Sequence, residues 1–263
     1  MIGFNAIGKM GRLGNQMFQF ASLKGIANNN GYQYCFPPSL GNNEWSDHQL
    51  FKAFKLSKTS DLNVQYIDFD RPTIVEKSFS FDEDLFENCP DWVTIQGYFQ
   101  TEKYFKHIVE EIKSDFEFHD EIKEPCIEMI SQVDNPISLH IRRDDYVTNP
   151  NHRVLDLDYY EKSLSNFDEN RTVLVFSDDP TWCNQQKLFS NDRFLIAEGN
   201  TNYVDLCLMT LCSSHIIANS SFSWWGAWLS GSCDIIAPSG WFCGTNNENL
   251  DTTDIVPENW KVI

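Results

Sequence analysis

The stretch SLHIRRDDYV, residues 138–147, sets Arg142 and Arg143 side by side and follows them with Asp144 and Asp145. The chain has only seven arginines and a formal net charge of −18, so two adjacent guanidiniums directly after an apolar run are a concentrated exception. A guanidinium is a planar fork that donates two parallel charge-assisted hydrogen bonds, which suits phosphate oxygens. Paired arginines at a strand end therefore fit a diphosphate. The competing reading is that neighbouring Arg and Asp side chains simply pair with one another. Two more polar clusters follow: Ser177, Asp178 and Asp179 in FSDDP, and Asn219, Ser220 and Ser221 in ANSSFSWWGAW. The last opens a helix, where backbone N–H groups and the macrodipole favour an anion. Taken singly, SDD reads as a turn and NSS as a helix N-cap.

The elements that must position these residues are clearest after Pro136. PISLHIRR, TVLVFSDD, RFLIAEG, SHIIANS and CDIIAPS read as short buried strands, with helical segments at 158–167, 180–189, 202–213 and 221–230 between them. Strands alternating with helices of this length imply a Rossmann-like parallel sheet covered on both faces. Ligands of such sheets bind beyond the carboxyl ends of the strands. All three polar clusters, with His140 beside the first, fall at those ends.

The first half is less regular. A strand at 2–7 leads through the turn GKMGRLG into a helix over 15–28 that Gly31 ends. Short strands are predicted at 32–36, 64–69, 73–77 and 93–99, and a short helix near 50–56. TEKYFKHIVEEIKSDF places Tyr104, Phe105, Ile108, Ile112 and Phe116 on one face and predicts a core-facing helix, followed by another over 120–133. The boundary between the halves falls near Asp134, with no flexible linker. Gly8, Gly11 and Gly14 follow a strand and precede a helix, as in a phosphate-cradling loop. Their GxxGxxG spacing is neither the dinucleotide fingerprint nor the GxxxxGK[ST] loop.

Composition narrows the partners. A chain of 263 residues with 41% hydrophobic and 14% aromatic content is globular despite its charge. So acidic a surface repels nucleic acid and anionic membranes. No apolar run approaches a membrane span, and the N-terminus does not read as a signal peptide, so a cytoplasmic location is expected. The eight cysteines show no CxxC pair and no zinc spacing, which favours reduced, packed thiols.

GRLGNQMFQ, HIRRDDYV, FSDDPTWC and DLCLMTLCSSHIIANSSFSWWGAWLS together resemble, in order and spacing, the inverting α-1,2-fucosyltransferases. His140-x-Arg142-Arg143-x-Asp145 matches the His-x-Arg-Arg-x-Asp motif of that family, and α-1,6- and protein O-fucosyltransferases carry related arginine motifs. The resemblance runs from residue 3 to about residue 240 and is faint between 32 and 135. It implies an α/β fold of GT-B type, with two Rossmann-like domains facing a cleft. Residues 1–133 would form the acceptor side and residues 134–263 would bind GDP-β-L-fucose. It also implies no cofactor and no divalent metal. No Asp-x-Asp motif stands at a strand end in the arrangement that metal-dependent glycosyltransferases use, and DLD at 156–158 leads into a helix.

The implied reaction is transfer of fucose, with inversion, to the 2-OH of a terminal galactose in an oligosaccharide. Arg142 is the first choice to stabilise charge on the departing β-phosphate, while Arg143 either assists or pairs with Asp145. Gly11, Arg12, Gly14 and Asn15 would approach the donor. Ser220 and Ser221 would donate to its phosphate, with Asn219 and Ser177 at the same rim, and His140 would contact the nucleotide. Asp205, sixteen residues before Ser221, has the spacing of the guanine-reading aspartate of the α-1,6-enzymes, and Asp178 is the alternative for guanine or ribose. The acceptor proton would pass to Asp145, to Asp144 or to the leaving phosphate itself. Trp45 and Phe36 are candidate acceptor-stacking rings, with a core role the competing reading for each. Against this stand a fucosyltransferase of another linkage or acceptor, and a catalytically idle glycan- or GDP-binding protein.

Overall fold

The computed structural model describes residues 1–41, 47–244 and 250–263. The chain divides into two compact units: Met1–His119 with Asp251–Pro257, and Asp120–Leu250 with Glu258–Ile263. The first comprises β1 (Ile2–Gly3), α1 (Leu13–Asn29), β2 (Tyr34–Cys35), α2 (Leu50–Ala53), β3 (Thr73–Val75), α3 (Glu83–Asn88), β4 (Val93–Gln96) and α4 (Val109–Asp115). Its sheet runs in the order β2-β1-β4-β3 with every pairing parallel. The steps from β1 to β2 and from β3 to β4 run in the same direction across the sheet, and β4 comes to lie directly beside β1. Helix α1 is buried on nearly all sides, and even Gln16, Gln19, Ser22 and Lys24 are inside.

The second unit comprises α5 (Asp120–Ile130), β5 (Ile137–Ile141), α6 (Leu157–Leu164), β6 (Val173–Ser177), α7 (Pro180–Gln185), β7 (Phe194–Ile196), α8 (Asn202–Thr210), β8 (Ser214–Ile216), α9 (Ser221–Ser230), β9 (Ile235–Ala237) and β10 (Lys261–Val262). Its strands are all parallel, in the order β10-β9-β8-β5-β6-β7. Counted from β5, that is the 3-2-1-4-5-6 arrangement of a Rossmann sheet, and its reversal lies between β5 and β8. β5 is buried along its whole length, as a central parallel strand must be.

Three expectations change. Residues 64–69 form no strand, and only an isolated bridge joins Val64 to Phe36. The Asn5 amide takes the place of a ladder there, accepting from the Ile67 N–H at 3.1 Å and donating to the Ile67 carbonyl at 3.0 Å. The helix predicted from Tyr104 to Phe116 begins as two 3₁₀ turns and becomes regular only at Val109, although all five apolar residues named for it are buried. The boundary lies at 119/120 rather than 133/134 because α5 packs on α8, where the Cys126 thiol reaches the Val204 carbonyl at 3.7 Å. The first unit also recovers Asp251–Pro257 from near the end of the chain: Asp254 accepts from Lys103 Nζ at 2.5 Å and from the Phe81 N–H at 2.8 Å. Among the described residues no helix is long and apolar enough to cross a membrane.

Two sets of buried titratable groups test this architecture. Lys24 and Asp115 pair at 2.6 Å with side chains 6% and 0% exposed. Breaking such a pair strands a charge in the interior, so Lys24→Ala should cost about 3–5 kcal/mol, read as a lower urea midpoint. In the second unit, burial drives the imidazoles of His140 on β5 and His215 on β8 down to about 3, with Arg142 adding to the effect at His140. The unfolded chain then binds more protons than the native one between about pH 6.5 and 3. Native stability should therefore fall as pH drops through that window, by about 1.4 kcal/mol per pH unit for each histidine. His140→Asn should show a visibly shallower slope in urea titrations at pH 7, 6 and 5.

Candidate active site

Arg142 and Arg143 leave β5 at its carboxyl end and turn toward the end of β6. Arg142 Nη1 lies 2.7 Å from Asp178 Oδ2, Nη2 bonds Asp145, and the guanidinium stands 5.2 Å from the Tyr146 ring centroid. The Arg143 N–H donates to Asp178 Oδ1 at 2.9 Å, and its side-chain Nε donates to Asp179 Oδ2 at 3.2 Å. Its guanidinium sits 4.0 Å from the centroid of Trp182, a cation–π contact. Asp179 also caps α7 through the Trp182 N–H at 3.0 Å, and Ser177 Oγ accepts from the Asp179 N–H at 3.0 Å. SDD is thus a turn and a cap, and it also anchors the arginines.

One reading is corrected by this geometry. The arginine that pairs with Asp145 is Arg142, not Arg143. Asp178, the alternative reader of guanine or ribose, commits both carboxylate oxygens to the arginines. Burial raises the Asp178 pKa above the usual carboxylate range, against the pull of Arg142. The carboxylates of Asp144, Asp145 and Asp178 offer oxygens within 4.8 Å of one another. The cation among them is the Arg142 guanidinium, bonded to two of the three.

Across the reversal of strand order, Asn219 and Ser220 connect β8 to α9. The Tyr146 hydroxyl donates to the Asn219 carbonyl at 3.0 Å, and His140 Nδ1 meets Ser223 Oγ at 2.9 Å. These two bonds tie the end of β5 to the start of α9, so the first and third clusters form one neighbourhood. Asn219 Nδ2 donates to the carbonyls of Arg153 (3.0 Å) and Trp241 (2.9 Å). Ser220 accepts from the Phe222 N–H at 3.4 Å as the N-cap, and Ser221 is the first helical residue. The opening turn of α9 carries N–H groups without intrahelical partners, the positive end of its dipole. His140 is neutral at physiological pH, so it offers a hydrogen bond here and not a charge. Asp205 lies apart: it sits in α8, accepts from Asn200 Nδ2 at 2.9 Å and makes no bond to the Arg142 cluster.

The first unit has its own polar neighbourhood at the carboxyl end of β1. Gly11 adopts φ +80°, and a Cβ there would meet Asn15 Nδ2 at 2.1 Å, so the loop closes onto the Asn15 side chain only because residue 11 is glycine. Gln16 Nε2 holds the Gly11 carbonyl at 3.2 Å, Gln19 Nε2 holds that of Met10 at 3.0 Å, and Gln100 Nε2 donates to Asn15 Oδ1 at 2.7 Å. Arg12 is the N-cap residue of α1, and Gly14 lies in its buried first turn. Phe36 is corrected to a core residue: it is fully buried between Phe20 and Phe51, ring centroids 5.2 and 5.9 Å away. Trp45 lies outside the described residues. The rings this unit leaves exposed include Tyr66 and Phe69, centroids 5.4 Å apart.

Sequence reasoning missed Tyr146, Trp182, Ser223 and the glutamines. One signal was present. Gln16, Gln19 and Ser22 recur at helical spacing in an otherwise apolar helix, the mark of a buried polar face.

Comparison with known proteins agrees with this construction. The sequence model described as Glycosyl transferase family 11 matches residues 1–263. An α-1,2-colitosyltransferase of Escherichia coli is 34% identical, over 95% of either chain. Galactoside α-(1,2)-fucosyltransferase 2 of Rattus norvegicus is 29% identical over 87% of this chain and 68% of its own. Among solved structures, the NodZ α-1,6-fucosyltransferase soaked with GDP-fucose superposes with a TM-score of 0.54 at 12% identity, covering 90% of this chain and 94% of its own, a likeness of fold. Matched from its first residue to its last, and carrying the arginine motif where a Rossmann sheet reverses, the chain belongs to glycosyl transferase family 11.

Proposed function

We propose that the protein transfers L-fucose from GDP-β-L-fucose, with inversion, to the 2-OH of a galactose in an oligosaccharide. The observation that carries this reading is the Arg142–Arg143 pair at the carboxyl end of β5, beside the strand-order reversal and tied to the start of α9. As the acceptor oxygen bonds to C1 of the sugar, the bond from C1 to the β-phosphate oxygen breaks and its electron pair stays on the phosphate. Charge grows there, and a guanidinium already oriented by two carboxylates needs little reorganisation to meet it. The N–H groups opening α9, with Ser220 and Ser221, add donors for the same anion. Asn15 and the loop before it are assigned to the donor by motif resemblance, and Asp205 keeps guanine as its proposed ligand on the same ground. The acceptor proton passes to a carboxylate of the 144–145 pair or to the departing phosphate oxygen. No metal takes part in this scheme, because the arginines supply the positive charge.

A second reading changes the sugar alone. The Escherichia coli relative is a colitosyltransferase, so nucleotide-linked colitose is the competing donor.

Arg142→Ala should lower kcat by about 10²–10³-fold, with the thermal transition retained. Arg142→Lys should restore little, because an ammonium has no fork. Product formation from GDP-fucose and from the colitose donor, with linkage read by NMR, decides between the two readings. Transfer of neither sugar, or a linkage other than 1→2, overturns the assignment. Excess EDTA should leave the rate unchanged, and a loss restored by added divalent metal would overturn the metal-free scheme.

A further inference from the structure

Glu76 follows the edge strand β3 and is partly buried, and among the described residues no cation is bonded to it. Its N–H donates to the Gln96 carbonyl at 2.8 Å, continuing the ladder. Its side chain then crosses to the carboxyl end of β4. One carboxylate oxygen accepts from the Tyr98 N–H at 2.6 Å and the other from the Phe99 N–H at 2.8 Å. Gly97 makes the crossing possible, since a Cβ there would lie 2.3 Å from Glu76 Cβ. The clamp holds an unfavourable turn: Phe99 has φ +53°, a left-handed conformation that residues with a Cβ avoid.

That turn is bonded to the glycine loop at two points. The Gly97 carbonyl accepts from Gln19 Nε2 at 3.1 Å, and the same amide donates to the Met10 carbonyl at 3.0 Å. Gln100, immediately beyond Phe99, donates to Asn15 Oδ1 at 2.7 Å. The turn and the loop are the carboxyl-end extensions of β4 and β1, two neighbouring parallel strands, and ligands of parallel sheets bind beyond such ends.

We infer that Glu76 is a positioning residue for the donor-binding loop, fixing the Asn15 amide through the β4 turn and Gln100. This rests on the proposed assignment of that loop to the donor. Both oxygens of the clamp accept backbone N–H groups, so it is complete only as a carboxylate. Burial pushes the carboxyl up to about 7 against those two bonds. Around it, Tyr104 is a phenol whose ionisation Glu76, Asp82 and Asp254 all oppose. Asp82 pairs with Lys77 at 3.2 Å and Asp254 with Lys103 at 2.5 Å. Below about pH 7 the clamp gains a proton and loses an acceptor, and the loop loosens.

The test is steady-state kinetics of the full chain with GDP-fucose and a lactose-type acceptor. Glu76→Gln should raise the donor KM by about tenfold, the worth of one such hydrogen bond, and leave the acceptor KM unchanged. In the wild type kcat/KM for the donor should fall as pH drops below about 7, and Glu76→Gln should lack that limb. Gln100→Leu cuts the link while sparing the clamp, and should raise the donor KM likewise. A folded Glu76→Gln protein with the wild-type donor KM, or a wild-type profile flat from pH 8 to 6, overturns the inference. Asn15→Ala separates the two claims. An unchanged donor KM in that variant sinks the donor-loop reading and this inference together. A raised one beside unaffected Glu76→Gln and Gln100→Leu sinks the inference alone.

Discussion

Asp178 accepts from the Arg142 side chain through one oxygen and from the Arg143 backbone through the other, at 2.7 and 2.9 Å. The Asp178 side chain is 17% exposed, and a carboxylate partly withdrawn from water is costly unless positive or polar donors meet it, as two consecutive residues do here. Geometry follows from that requirement. With the backbone of Arg143 fixed to the end of β6, the two side chains diverge, one toward Asp145 and Tyr146, the other onto Trp182 and Asp179. The pairing of Arg with Asp and the suitability of Arg for phosphate are therefore not rival accounts of the motif. The carboxylates keep the guanidinium in one orientation, and an oriented guanidinium is what an anion recognises well.

Both units gather polar groups beyond two neighbouring parallel strands, β5 and β8 in one, where the strand order reverses, and β1 and β4 in the other. At each place, side chains bridge the two strand ends: Tyr146 and His140 in the second unit, Gln19 and Gln100 in the first. In the second unit the bridges gather cations and helix N–H groups. In the first they gather amides and a glycine-dependent loop, which is chemistry suited to hydroxyls and backbone contact.

The regular half of the chain was legible because one rule covers it. Buried strands separated by helices must be parallel, and parallel strands put their polar ends on one rim. His140, Arg142, Ser177 and Asn219 could be placed by that alone. Which carboxylate meets which arginine could not, since residues 142–145 leave the strand in a tight turn whose dihedrals no periodicity encodes. Residues 64–69 alternate like a strand, but the Asn5 side chain satisfies Ile67 in place of a neighbouring backbone. Glu76 was silent for a similar reason: in TIVEKS it reads as an exposed residue at a strand end, and its burial depends on Gly97, twenty-one positions away. The expectation of a helix over 120–133 did not carry the unit on which it packs.

The return of Asp251–Pro257 to the first unit has a consequence for how such a protein can be taken apart. That unit is not a contiguous length of polypeptide. A fragment ending at His119 would leave Lys103 and the Phe81 N–H without the Asp254 carboxylate they share. Exchanging one unit for that of a relative therefore needs three splice points, at 119/120, 250/251 and 257/258. A single-crossover chimera would carry a first unit whose closing strip comes from the wrong parent.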